Sequence, residues 1–134
     1  MSSQPLARRD DAPNADSISD DELVRLARRI SNFRRKREML FERLIFAEPE
    51  WDILLDLFAE GGFGRKVSMS SLCIAAAVPT TTAVRCINAM IELGVLAKSR
   101  DMTDARRVLI ELTEESRIKM RTLLLQVAQF SGPR

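Results

Sequence analysis

Histidine is absent from the 134 residues. With it goes the side chain most used as general base, proton shuttle and metal ligand near neutral pH. Cysteine is scarce: Cys73 and Cys86 are the only two, in no framework spacing, which argues against a disulfide scaffold and for a reducing compartment. No cluster has metal-ligand spacing, and no serine or cysteine has a base partner in a recognisable motif. Gly61-Gly62-Phe63-Gly64-Arg65-Lys66 lacks the order of a phosphate-cradling loop and follows no strand. It reads as a connection, with Phe63 tucked into the core. These absences predict a protein that is not an enzyme and holds no cofactor or metal. No uninterrupted apolar run reaches membrane-spanning length, and none near Met1 resembles a signal peptide. A cytoplasmic protein with no membrane partner is expected.

What is present is enough apolar sequence for one core. The chain is 46% hydrophobic and 30% charged, with a net charge of +2 and a pI near 8.8. Such a balance permits a nucleic-acid partner without demanding one. Residues 1–18 mix proline, asparagine, serine and charge, with little to bury, and read as a disordered tail. Residues 19–134 form a single domain. A first helix over 19–46 opens on a capping box, Ser19 to Glu22, with acid at the positive end of its dipole. Leu23, Leu26, Ile30, Phe33, Leu40 and Leu44 make a heptad-like seam along it.

The same helix carries Arg25, Arg28, Arg29, Arg34, Arg35, Lys36 and Arg37. This run is either a face for an anionic partner or a solvated surface, the solvated surface being slightly favoured. Glu48-Pro49-Glu50-Trp51 starts a second helix, with Trp51, Leu54, Leu55 and Phe58 as its buried stripe. Glu48, Asp52 and Asp56 recur every four residues and read as an exposed acidic face.

Residues 70 to 113 hold the informative pattern. A short helix around Leu72, Cys73, Ala76 and Val78 is followed by Pro79, which suits the start of a new helix. From Thr80 to Leu93 an apolar stripe of Val84, Ile87, Met90 and Ile91 leaves Thr81, Thr82, Arg85, Asn88 and Glu92 mostly outside it. Gly94 supplies a left-handed stop. The period then becomes two: Val95–Lys98 and Val108–Leu112 read as strands joined by a charged loop. Lys66–Ser68 is a candidate third strand. After the hairpin, Thr113 to Ser116 caps a last helix over 113–131. That helix is apolar on more than one face through Ile118, Met120, Leu123, Leu124, Leu125, Val127, Ala128 and Phe130.

Two short helices and a basic-tipped hairpin are the layout of a winged helix-turn-helix. The run from Leu72 through TTTAVRCINAMIELGVL to DMTDARRVLIELTEES resembles the core of MarR-type transcriptional regulators. The matches are Arg85 in the helix, Gly94 at its stop, Asp104 and Arg106 in the wing, and Leu112-Thr113 at the strand end. Ala77 stands where glycine is usual in the turn, and Pro79 replaces the usual polar cap. The resemblance implies a mainly α fold with a small β-hairpin wing, residues 48–112 forming the core. It implies flanking N- and C-terminal dimerisation helices, and hence a homodimer on double-stranded DNA.

The recognition helix, about 79–93, would enter the major groove, and the wing, about 98–107, would lie on the minor groove or backbone. Thr80, Thr81, Thr82, Arg85 and Asn88 offer the hydroxyl, guanidinium and amide groups that read base edges. Ser70 and Ser71 would offer amides and hydroxyls to a phosphate. Arg100, Asp104, Arg106 and Arg107 complete the expected interface, with Asp104 placed to hold the Arg106 guanidinium extended by a charge-assisted hydrogen bond. The alternative is a protein-interaction module using the basic Arg25–Arg37 face without DNA. Redox sensing through Cys86 is weaker still, structural packing being favoured for both cysteines. A small-molecule effector has no residue pointing to it.

Overall fold

The computed structural model describes residues 18–41 and 48–130. The expected tail, apart from Ile18, and the end of the first helix around Leu44 and Phe46 lie outside them. Helix α1 spans Asp20–Leu40, α2 Pro49–Gly62, β1 Val67–Ser68 and α3 Met69–Ala75. Then come α4 Thr80–Glu92, β2 Leu96–Arg100, β3 Val108–Leu112 and α5 Glu114–Phe130. The antiparallel sheet has the order β1-β3-β2, with Val67 opposite Ile110 and Leu96 opposite Leu112. All four side chains are buried, so one face of the wing sheet closes the core. The third strand is the short one expected. Ser99 and Arg100, expected in the loop, instead extend β2.

The helix starts are written in the chain. Ser19 donates its amide to Glu22 Oε1 at 2.9 Å and accepts the Glu22 amide at 3.2 Å, completing the capping box. Ser68 caps α3 by accepting the Ser71 amide at 3.2 Å. At the other end of the wing, Thr113 Oγ1 accepts the Ser116 amide at 3.3 Å and lies 3.0 Å from the Gly94 carbonyl. One threonine thus starts α5 and fastens the stop of α4.

The largest fully buried side chains are Leu23, Ile53, Leu55, Leu72, Ile87, Leu96, Ile110 and Leu124. They draw on α1, α2, α3, α4, the sheet and α5. On α2 the buried stripe is Ile53, Leu55, Leu57, Phe58 and Ala59, with Trp51 and Leu54 half-buried. It is wider than the expected one because α1, α3 and α4 all pack on this helix. Phe63, expected inside, is 60% exposed and lies under the Arg65 guanidinium at 4.7 Å. The turn after Gly62 carries its ring past the last core contact.

Between α3 and α4, Ala77 adopts φ +60. It is the only non-glycine residue with positive φ among those described, at the place where the resemblance expects glycine. An L-residue there costs roughly 1–2 kcal/mol. Ala77→Gly removes that strain but adds freedom to the unfolded chain, so a net gain of about 0.5–1 kcal/mol is expected. A denaturant midpoint moving upward at constant slope would show it, and an unchanged midpoint would mean the turn is not strained.

Candidate nucleic-acid interface

Helix α4 buries Ala83, Ile87 and Met90 and half-buries Val84 and Ile91. This is the predicted stripe with Ala83 added. Thr80, Thr81, Thr82, Arg85 and Asn88 are exposed, and Arg85 forms no ion pair with any described residue. No side chain caps the helix at Pro79, and the Ala83 amide takes the Pro79 carbonyl at 2.9 Å. Its first turn therefore presents amides and threonine hydroxyls outward. Ser70 and Ser71 are also exposed, but the Ser71 amide and hydroxyl both meet Ser68 Oγ, at 3.2 and 3.0 Å. The Ser71 amide is held inside the cap of α3 and is not offered to solvent.

The wing tip is bonded to itself. The Asp101 carboxylate accepts the Thr103 amide at 2.9 Å and hydroxyl at 2.8 Å, and Arg107 Nη1 lies 3.1 Å from it. Those bonds, the Thr103 amide foremost, hold Asp101 below the usual aspartate range. A depressed carboxylate lends stability above its unfolded pKa, lost as pH falls through the folded value, so acid loosens this turn only once the pH reaches that lowered range. Arg100 Nη1 donates to the Ala105 carbonyl at 2.7 Å. Arg106 Nε and its amide meet Asp104 Oδ1 at 3.2 and 3.1 Å, while the Arg106 side chain stays 92% exposed. Arg100 and Arg107 shape the loop; Arg106 projects from it. The predicted pairing of Asp104 with Arg106 is present.

Between wing and helix lies a cleft of about 430 Å³. Its walls are Thr80 and Val84 of α4, Ser70 and Cys73 of α3, and Arg106 and Arg107 of the wing. The structure thus brings Ser70 and Thr80 to one cleft with Arg106 and Arg107.

Comparison with known proteins bears on what such a surface is. Residues 42–123 match the family described as Transcriptional regulator SarA/Rot. The chain belongs to the SarA/Rot family of transcriptional regulators. No curated protein matches it in sequence. Among solved structures, a MarR family transcriptional regulator from Silicibacter pomeroyi is 19% identical with a TM-score of 0.53, covering 82% of this chain and 70% of its own. The PcaV transcriptional regulator from Streptomyces coelicolor is 19% identical with a TM-score of 0.50, covering 85% and 76%. A probable transcriptional regulator from Pseudomonas aeruginosa is also 19% identical at 0.50, covering 84% and 80%. At these identities the likeness is one of fold: this is a MarR-type winged helix-turn-helix, mainly α with a β wing.

Two readings of this SarA/Rot-family chain are corrected by its packing. The basic run on α1 is not a uniform face. Arg34 is buried, with Nε 2.6 Å from Asp52 Oδ1 and Nη1 2.6 Å from Glu48 Oε1. Burial works against its charge, but the hydrogen bonds to Asp52 and Glu48 outweigh it and raise its pKa. Arg28 bridges Asp56 at 3.1 Å and Glu60 at 3.0 Å. Arg35 Nη2 donates to the Ala75 carbonyl at 3.1 Å. The α2 acids, expected to face solvent, are the other half of this ladder. Sequence set the basic run on α1 and, by a period of four, the acidic row on α2; only the docking of α1 on α2 shows that the two meet. The alternative of an open basic docking face loses its central residues.

The second correction concerns Leu26, read as part of a seam between subunits. It is 8% exposed in the chain's own core, and Ile30 is half-buried against it.

Both cysteines sit in packed surroundings. Cys73 is buried; Cys86 is half-buried, with Sγ 4.0 Å from Met90 Sδ. Desolvation, with Glu50 alongside, pushes the Cys86 thiol up to about 11. Little of it is thiolate at neutral pH, the reverse of what oxidant sensing needs. Peroxide is expected to leave DNA affinity unchanged in the parent protein and in Cys86→Ser. A peroxide-dependent loss abolished by that substitution would overturn the structural role. Among the described residues no group of His, Cys, Asp and Glu could hold a metal ion, and no single helix is long and apolar enough to cross a membrane.

Proposed function

We propose that this regulator binds double-stranded DNA as a homodimer, with α4 in the major groove and the wing on the adjacent minor groove or backbone. The observation that carries the reading is the surface shared by α4 and the wing. There Thr80 and Val84 of α4 line one cleft with Arg106 and Arg107 of the wing, and Thr81, Thr82, Arg85 and Asn88 are exposed on the same helix. Arg85 can grip guanine bidentately, Asn88 can do so for adenine, and threonine offers a hydroxyl and a methyl. Ser70 would add a phosphate contact.

Dimerisation through α1 and α5 is supported by what the single chain leaves uncovered. On α1 and just past its end, Phe33, Leu40 and Phe41 are 67%, 68% and 56% exposed; on α5, Ile118, Leu123 and Val127 are 56%, 46% and 37% exposed. Six large apolar side chains at the flanking helices are more than scattered surface residues. In domain terms, residues 48–112 read DNA and the flanking helices join two copies.

Selection of sites from a random duplex pool tests both parts. The expected product is an inverted repeat with half-site centres about one duplex turn, roughly 34 Å, apart. Recovery of no enriched sequence would remove the DNA reading. Phe33→Asp with Leu123→Asp should sediment as a folded monomer and lose the preference for paired half-sites. If the parent protein is itself a monomer at micromolar concentration, the dimer is wrong.

A further inference from the structure

Met102 is the most exposed large apolar side chain described, at 98%. It stands at the crest of the wing, between Asp101 and Thr103. A lone exposed methionine on a mobile surface would need no explanation, but this one is held out by a closed web of hydrogen bonds. Beneath it the Asp101 carboxylate takes both donors of Thr103. The Asp101 amide donates to the Arg107 carbonyl at 3.1 Å, and the Arg107 amide to the Asp104 carbonyl at 2.9 Å. Arg100 and Arg107 close the sides of the loop. Within 101–107 this leaves Met102 and the guanidinium of Arg106 as the long side chains pointing outward.

We infer that Met102 is a wedge: its thioether chain enters the minor groove beside Arg106 and partly unstacks one base step. The inference rests on the DNA reading above and deepens it by naming how the wing discriminates among sites. An apolar side chain driven between bases requires a rigid support, because a floppy loop would lose in ordering what the contact gains. The wing tip supplies that support from its own carboxylates. Methionine is flexible and polarizable enough to follow the faces of different bases. Arg106 is placed to anchor the wedge through the negative potential of the groove. Discrimination then comes from deformability: flexible pyrimidine–purine steps yield to the wedge, and stiff A-tracts resist it.

The test uses the full chain and a duplex recovered by site selection, with 2-aminopurine placed in turn at each step of the flanks. The parent protein should raise fluorescence at one flanking step per half-site. Met102→Leu, apolar and of similar volume, should keep that signal. Met102→Gln, similar in length but polar, should abolish it and weaken binding about tenfold, as expected for an apolar contact of this size. Replacing the responding step with an A-tract step should weaken the parent and leave Met102→Gln nearly unchanged. These substitutions lie outside the core, so folding is not at stake. If the parent binds the duplex without a localised fluorescence rise, or Met102→Gln binds as the parent does, the wedge is wrong while DNA binding stands. If the parent binds no duplex, the DNA reading itself fails, and the wedge with it.

Discussion

Asp52→Ala is expected to destabilise the protein by about 3–5 kcal/mol, the usual cost of leaving a buried charge without its partner. Arg34 and Asp52 have side chains only 7% and 10% exposed and meet at 2.6 Å. Removing the carboxylate strands the guanidinium between α1 and α2 with, among the described residues, only the carboxylate of Glu48, which is 60% exposed, to answer it. The pair itself need not be a large net source of stability, because two charges had to leave water to form it. That asymmetry gives the prediction its sharper half. Arg34→Met with Asp52→Leu removes both charges at similar volume and should recover most of the loss. Denaturant unfolding of the two single variants and the double closes the cycle. A double variant as unstable as the sum of the singles would mean that the side chains act separately, and the ion pair would not be the link between α1 and α2.

Arg85→Ala and Arg106→Ala should lose different things. Arg85, on the outward face of α4, should carry sequence information. Its removal should cost on the order of 1–3 kcal/mol on the best site and much less on random DNA. Arg106, held by Asp104 yet 92% exposed, should read potential and groove width. Its removal should weaken both kinds of site by similar factors and lower the salt slope by about one unit. Asp104→Ala should act in the same direction but more mildly, since the charge stays while its orientation is freed. The measurement is affinity for specific and random duplexes across a salt series. An unchanged affinity in Arg106→Ala on both duplexes would make the wing an ordinary solvated turn. Arg100 and Arg107 give a useful contrast. Both are tied to the loop, so their loss should loosen the wing before it removes a phosphate contact.

The local elements and their order were legible in the chain because their causes are local. The Ser19–Glu22 box, Pro49 at the start of α2, the glycine stop at Gly94 and the change of period after it each depend on a few neighbouring residues. They determined the winged helix-turn-helix, the outward face of α4 and the pairing of Asp104 with Arg106. The positive φ of Ala77, by contrast, is a finding of the structure, since alanine in place of glycine left the turn geometry open. What periodicity could not say is which face meets which. The rows Arg28–Arg34 and Asp52–Asp56 looked like two solvated surfaces because each is one stripe on one helix. Only tertiary docking, with donors and acceptors 18 to 32 residues apart in sequence, makes them a partly buried ladder. The same holds for Leu26, whose stripe fits equally well against another subunit or against the chain's own core, until Leu26 is seen buried in that core. Exposure at Phe33, Phe63 and Met102 was likewise set by where the neighbouring elements end. Hydrophobicity drives a side chain toward an apolar surface but carries no address, and the address is written by the whole fold.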